Sequence, residues 1–140
     1  MRAVIVAGGR GTRLAPYTTV LPKPLLPVGE RPVLELIVRQ LARAGITEID
    51  LCVGHLGELI RAYFSENSHV PDGVDLRYHW ENSPLGTVGA LRQVPDLEDT
   101  FLLLNGDVLA TIERLAKLKQ QGVLSEEEFT AKKAELLKRL

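Results

Sequence analysis

The chain is poor in the features that announce several common protein classes. It has a single cysteine among 140 residues, so no internal disulfide is possible. Cys52 lies in the run Ile49-Asp50-Leu51-Cys52-Val53, where a buried thiol in a reducing compartment is the favoured reading. No early apolar run is long enough for a signal-peptide core or a membrane span, which points to the cytosol and away from a membrane partner. The formal net charge is only -1, so no global field favours nucleic acid or an anionic bilayer. His55, His69 and His79 lack metal-ligand spacing. Of these, His55 reads more readily as a strand-end structural histidine than as a pocket residue.

Lysine is also scarce where it would be expected. Residues 1–108 hold nine arginines and one lysine, Lys23, whereas residues 109–140 hold five lysines and two arginines. All eight prolines and eleven of the twelve glycines fall in the first stretch. The break predicts two segments, 1–108 and 111–140, and marks Lys23 as either chance or a site that needs a compact ammonium.

What is present begins at the amino terminus. Val4-Ile5-Val6 predicts a buried strand, and Ala7-Gly8-Gly9-Arg10-Gly11-Thr12-Arg13-Leu14 follows it at once. Glycines let backbone N–H groups approach an anion, and Arg13 adds a forked, permanently charged donor set. A dinucleotide fingerprint would need glycine at position 14, where Leu14 stands, and the Gly-Lys-Ser/Thr of a Walker loop occurs nowhere. Pro16, Pro22, Pro24, Pro27 and Pro32 then forbid a continuing helix and predict a long, ordered, extended loop of the kind that carries function.

Further along, Pro32 suits a helix first turn, and Leu34, Leu36-Ile37, Leu41 and Ala44 form a helical stripe closed by Gly45. Strands are predicted at Ile49–Val53, Asp75–Trp80 and Phe101–Leu104, with helices over Leu56–Phe64 and Thr87–Arg92 between them. Such alternation predicts an α/β fold with a parallel sheet wound in the nucleotide-binding manner. Ligands then sit at the carboxyl ends of the strands. The polar candidates all fall there: the glycine cradle, Gly54-His55, Glu81 to Gly86, and Asn105-Gly106-Asp107.

The stretch AGGRGTRLAPYTTVLPKPLLPVGERP, followed by Pro84-Leu85-Gly86-Thr87 and Gly106-Asp107, resembles the signature of sugar-1-phosphate nucleotidyltransferases. The resemblance implies a Rossmann-like sheet of strand order 3-2-1-4, which would set the cradle beside Asp107. It implies attack of a sugar 1-phosphate on the α-phosphorus of a nucleoside triphosphate with release of pyrophosphate. That chemistry needs charge neutralisation and alignment more than a nucleophilic side chain. By motif match Gly8, Gly9, Gly11 and Thr12 would hold phosphates, Arg13 the departing pyrophosphate, and Lys23 the α-phosphate. Asp107 would take Mg²⁺, or cap the next helix. Pro84, Gly86 and Thr87 would meet base and ribose, with Glu81 toward the base. A carboxylate only accepts, and guanine offers two adjacent donors where uracil and thymine offer one, so Glu81 tilts the expectation toward GTP over dTTP or UTP.

The last segment reads differently. Ile112, Leu115, Ala116 and Leu118 fall at helical spacing before Gly122, and Ser125 with Glu128 spells a capping box beside Leu124 and Phe129. The predicted helical hairpin over 111–140 resembles the SHOCT domain. A two-helix hairpin cannot bury its apolar stripes alone, which predicts homo-oligomerisation or packing on the sheet domain. The transferase resemblance covers residues 1–108, the nucleotide half of the family's site. The later lysine for the sugar phosphate and the second metal-binding aspartate cannot be assigned, so weak or absent turnover is expected. The alternative is a noncatalytic nucleotide-binding and assembly module.

Overall fold

In the computed structural model, residues 1–10, 15–66, 69–83, 85–97, 100–106 and 127 are described, the side chains of Tyr17 and Thr87 excepted. By internal contacts the chain divides into two units, Met1–Gly106 and Asp107–Leu140, and the architecture below is that of the first. The hairpin expected over 111–140, Glu127 apart, falls outside the described residues.

The apolar run near the amino terminus forms β1 (Arg2–Val6). Four strands make the main sheet: β4 (Glu48–Val53), β1, β5 (Asp75–Trp80) and β6 (Phe101–Asn105). Their spatial order is β5-β4-β1-β6, and every pairing is parallel. Counted along the main sheet, this is the 3-2-1-4 order that the sequence resemblance implies. The strand β1 is therefore paired on both edges, Val4 lying between Asp50 of β4 and Leu103 of β6.

Parallel neighbours need crossovers, and crossovers keep a right hand. The steps β1 to β4 and β4 to β5 run one way across the sheet and carry α1 (Val33–Arg43) and α2 (Gly57–Ser65). The step from β5 back to β6 carries α3 (Gly86–Ala90) and a single 3-10 turn at Leu91–Gln93. A common hand places α1 and α2 on one face and α3 on the other. The pleat agrees: Val4 and Cys52 pack with Ala90 and Val94, while Ala3, Ile5, Ile49, Leu51 and Val53 point the opposite way and are fully buried. On that second face, a Cβ on Gly57 of α2 would lie 2.8 Å from the Trp80 ring and 3.0 Å from Val53.

The stripe expected for α1 is buried in part: Leu34, Ile37 and Leu41, joined by Val33 and Val38, are each at most 2% exposed, whereas Leu36 is half-buried and Ala44, past the end of the helix, is exposed. Side chains of this kind contribute roughly 1.5–3 kcal/mol each on burial. The helix stops at Gly45, whose φ of +82° allows the Gly45 and Ile46 N–H groups to turn back onto the Ala42 and Leu41 carbonyls, both at 3.0 Å. Pro32 stands just before the helix, as its cap. The proline-rich segment holds more structure than an extended loop. It contains single turns at Tyr17–Thr19 and Lys23–Leu25 and a small antiparallel hairpin, β2 (Pro27–Val28) and β3 (Arg31–Pro32), around Gly29 at φ +68°.

Two charged groups are buried in this unit with their partners. Asp50, fully buried in β4, accepts from Arg2 Nε and Nη2 at 3.1 and 2.9 Å, and its other oxygen lies 2.7 Å from His79 Nε2. Arg2 Nη1 also donates to the Asp96 and Pro95 carbonyls at 2.7 and 3.2 Å, tying β1 to the turn before β6. Glu35 accepts from Arg31 and Arg39 at 2.6 Å each and from the Tyr63 hydroxyl, which links α1 to α2. Burial pushes its carboxyl pKa up, but the hydrogen bonds from Tyr63, Arg39 and Arg31 outweigh this and hold it below the ordinary value.

Removing one member of a buried pair leaves the other unpaired, the costly outcome. Asp50→Ala is expected to lower the unfolding free energy by about 3–5 kcal/mol, read from urea denaturation; a loss below about 1 kcal/mol would show that Arg2 and His79 are solvated without it.

Candidate functional site

The carboxyl ends of β1, β4, β5 and β6 lie side by side, and backbone hydrogen bonds continue past each strand. Ala7 N–H donates to the Cys52 carbonyl at 2.8 Å, Glu81 N–H to that of Val53 at 2.8 Å, and Gly106 N–H to that of Val6 at 3.0 Å. The first residue of three loops is thereby fixed relative to the sheet, and two groupings result.

The first is an open cleft of about 250 Å³ lined by Gly8, Arg10, Gly54, His55, Glu81, Asn82 and Ser83. Glu81 lies over the glycine backbone: a Cβ on Gly8 would meet its Oε2 at 2.8 Å, and a Cβ on Gly54 would meet the Gly8 carbonyl oxygen at 3.1 Å. The space above Gly8 is thus taken by a carboxyl group from the end of β5. Gly9 faces open space. The Leu85 N–H bonds to the Glu81 carboxylate, yet Oε1 is buried with no hydrogen-bond partner. Burial pushes the Glu81 pKa up, against the opposing Leu85 hydrogen bond. An unpaired buried acceptor of this kind costs on the order of 1–3 kcal/mol.

His55 is exposed at the cleft and is not the buried structural histidine that its strand-end position suggested. The cause is the next residue. Leu56 adopts a left-handed conformation, φ +59°, in a turn closed by Gly57 N–H to the Gly54 carbonyl at 2.9 Å, so the chain swings His55 outward before α2 begins. Such strain in a residue other than glycine clusters at functional loops. Behind the cleft floor Cys52 is fully buried. Burial, with the Glu81 and Asp50 charges, pushes its thiol up to about 11, so it is an inert core group rather than a nucleophile.

The second grouping lies between β1 and β6, where the winding of the sheet reverses. The turn Lys23–Leu25 sits here: Pro24 Cγ, Ala7 Cβ and the Val6 carbonyl oxygen lie 3.4, 3.5 and 3.3 Å from where a Cβ on Gly106 would be. Half-buried Lys23 is therefore held beside the carboxyl ends of β1 and β6. Gly86 opens α3 at φ +70°, a value that favours glycine, and a Cβ there would meet nothing within 4 Å.

Of the residues singled out from sequence, Gly8, Gly9, Glu81, Lys23 and Gly86 come to the strand ends. Gly11, Thr12, Arg13, Pro84 and Asp107 lie outside the described residues, as does the Thr87 side chain. Among the described residues no cluster of three metal-ligating side chains is present. Gly54 and Arg10 also line the cleft, though the sequence, which placed both at strand ends, assigned neither a role. Gly54 had a legible signal, a glycine directly after a buried strand, as at Gly8. Arg10 had none beyond its place in the glycine loop.

A second cleft, of about 300 Å³, is lined by Glu30, Arg31, Glu35, Arg39, Tyr63 and His69. It lies on the helical layer. Arg31 and Arg39 both pair with Glu35, and His69 stacks on Tyr63 with ring centres 4.0 Å apart.

Comparison with known proteins gives a consistent result. The chain is 38% identical over 120 residues to the D-glycero-alpha-D-manno-heptose 1-phosphate guanylyltransferase of Campylobacter jejuni, an alignment that covers 85% of this chain and 52% of that protein. It is 33% identical over 132 residues to the UTP–glucose-1-phosphate uridylyltransferase of Synechocystis, covering 85% of this chain and 34% of the relative. The crystal structure of HddC from Yersinia pseudotuberculosis complexed with GMP-PN superimposes with a TM-score of 0.62 at 30% identity, over 76% of this chain and 47% of that one. The chain thus spans about half the length of these relatives, or less. No helix among the described residues is long and apolar enough to cross a membrane. The family described as nucleotidyl transferase matches residues 2–132, and the chain belongs to it.

Proposed function

We propose that this chain binds a nucleoside triphosphate, preferentially GTP, across the carboxyl ends of its strands and transfers the nucleotidyl group to a sugar 1-phosphate, releasing pyrophosphate. The observation that carries the reading is Glu81, a half-buried carboxylate that lines the cleft and lies over Gly8. A triphosphate would be repelled from such a group. The fragment that belongs beside it is uncharged and rich in donors, which describes the pairing edge of guanine. The phosphates then extend past Gly9 toward Lys23 and the β1–β6 junction, the kind of switch point at which open α/β sheets bind ligands.

In this reading Gly8 lies beside the base, under Glu81, Gly9, Gly11 and Thr12 hold the phosphate chain by backbone donors, and Arg13 binds the departing pyrophosphate. Lys23 neutralises the charge that accumulates on the α-phosphate as the sugar phosphate oxygen attacks. Pro84, Gly86 and Thr87 bound the base and ribose. Mg²⁺ on the nucleotide would be held by Asp107 and would supply further charge neutralisation. Residues 111–140 form a SHOCT-like hairpin that joins copies of the chain, and the reduced, buried Cys52 suits a cytoplasmic setting.

Pyrophosphate release measured across the four nucleoside triphosphates and a panel of sugar 1-phosphates, with Mg²⁺, tests the reaction. Slow release is expected with GTP, because the later sugar-phosphate lysine and second aspartate are unassigned, and Lys23→Ala is expected to reduce it to background. Undiminished release in that variant would remove Lys23 from the reaction. No release with GTP binding intact would assign the chain a binding role alone.

Gly8→Ala sets a methyl against the Glu81 carboxylate and should weaken GTP binding about tenfold by calorimetry. In the Glu81→Ala background the same change should cost almost nothing, because the obstacle is gone. Independent, additive effects would separate Gly8 from Glu81. On sizing, the whole chain should run as a multimer and a chain ending at residue 110 as a monomer; identical behaviour would contradict the hairpin's role.

A further inference from the structure

We propose that Glu81 selects the base through its own charge state: ionised, it accepts from the two adjacent donors of guanine and rejects other bases, and neutral, it no longer discriminates. This rests on the nucleotide reading above and goes beyond it by making selectivity depend on a proton.

The geometry carries the inference. One carboxylate oxygen is satisfied by the chain, through the Leu85 N–H, and Oε1 is buried without a partner. The group lies over Gly8, with Oε2 2.8 Å from a would-be Cβ. A carboxylate held so can only accept. Guanine presents N1–H and the 2-amino group side by side and matches it. Uracil presents one N–H flanked by two carbonyls, which sets an acceptor against an acceptor. Hypoxanthine keeps N1–H but lacks the amino donor. A protonated carboxyl has one donor and one acceptor, and pairs with the carbonyl and N–H that guanine, hypoxanthine and uracil share.

The surroundings hold Glu81 close to that exchange. Burial already pushes its pKa above the ordinary carboxylate value, so its neutral form enters at milder acidity than that of a solvated glutamate. The charged and titratable groups facing it are few. From the loop after β1 comes Arg10, and from the end of β4 comes His55, both lining the cleft. Cys52 lies behind it on β4, its thiol pushed up to about 11 and therefore uncharged. Among the described residues, the start of α3 offers it the Leu85 backbone. Because the Glu81 pKa is raised, the ionised form dominates above it and selectivity is lost as pH falls through it.

The test is equilibrium binding of GTP, inosine triphosphate and UTP to the whole chain with Mg²⁺, from about pH 4, below the ordinary glutamate value, to about pH 8. Phosphate titration is common to the three ligands and cancels in ratios of affinity. The GTP preference over inosine triphosphate and over UTP should be about tenfold or more at the upper end and should approach unity in acid. Glu81→Gln should show the levelled preference at every pH, and His55→Gln should keep the parent's pH dependence. A preference in the parent that does not change with pH, while Glu81→Gln still levels it, would overturn the inference and leave the base reading standing. GTP and inosine triphosphate binding alike at all pH would overturn both, placing a ribose or no ligand at Glu81. Loss of the pH dependence in His55→Gln would put the proton on histidine instead. The comparison of ligands in the parent needs no variant to fold.

Discussion

The parallel pairing of β1 along both edges is the constraint on which the rest of this unit depends. A strand paired in parallel on each side needs a crossover in each direction, and a constant hand sends those crossovers over opposite faces. The helices therefore sandwich the sheet, and β1 becomes the line at which winding reverses. The candidate site residues among those described gather at the carboxyl ends of the strands. The backbone bonds from Ala7, Glu81 and Gly106 to the neighbouring strand carry the sheet's order one residue into each loop. Loop residues thus begin from positions as rigid as the core.

Buried charge reinforces the same arrangement. Arg2, Asp50 and His79 join three strands, and Arg2 also holds the turn before β6. Such a cluster adds little net stability against a well-packed apolar substitute, but a shifted strand would bury one of its charges alone. It therefore penalises wrong registers more than it favours the right one. Glu35 does the same for α1 and α2, gathering Arg31, Arg39 and Tyr63 around one carboxylate. The cleft these residues line is accounted for by their mutual pairing.

The sequence made legible what depends on local pattern. Asp75–Trp80 is a strand with the expected bounds, and α1 buries Leu34, Ile37 and Leu41 of the stripe read from its spacing and ends at the expected glycine. The hairpin Pro27–Pro32 was hidden because strands of two residues have no periodicity to read. The partners of Asp50 and Glu35 were hidden because each lies on an element distant in the chain. His55 was misjudged because its exposure follows from a left-handed Leu56, a conformation that leucine does not advertise. At the candidate site the glycine loop, Lys23 and Glu81 were legible as a signature. What could not be read was that Gly8 faces Glu81, since the reason for that glycine lies in a side chain from another strand.

Glu81 and Gly8 together give the site its direction. A buried acceptor at one end repels phosphate, and Lys23 beside the β1–β6 junction attracts it, so a nucleotide has one sensible orientation across β1. The most direct measurement is a crystal structure of the chain with a non-hydrolysable GTP analogue. The account predicts guanine in the cleft, its N1–H and amino group within hydrogen-bond distance of the Glu81 carboxylate, and phosphates running over Gly9 toward Lys23. A nucleotide with its phosphates beside Glu81, or seated in the Arg31–Arg39–Tyr63 cleft, would contradict it.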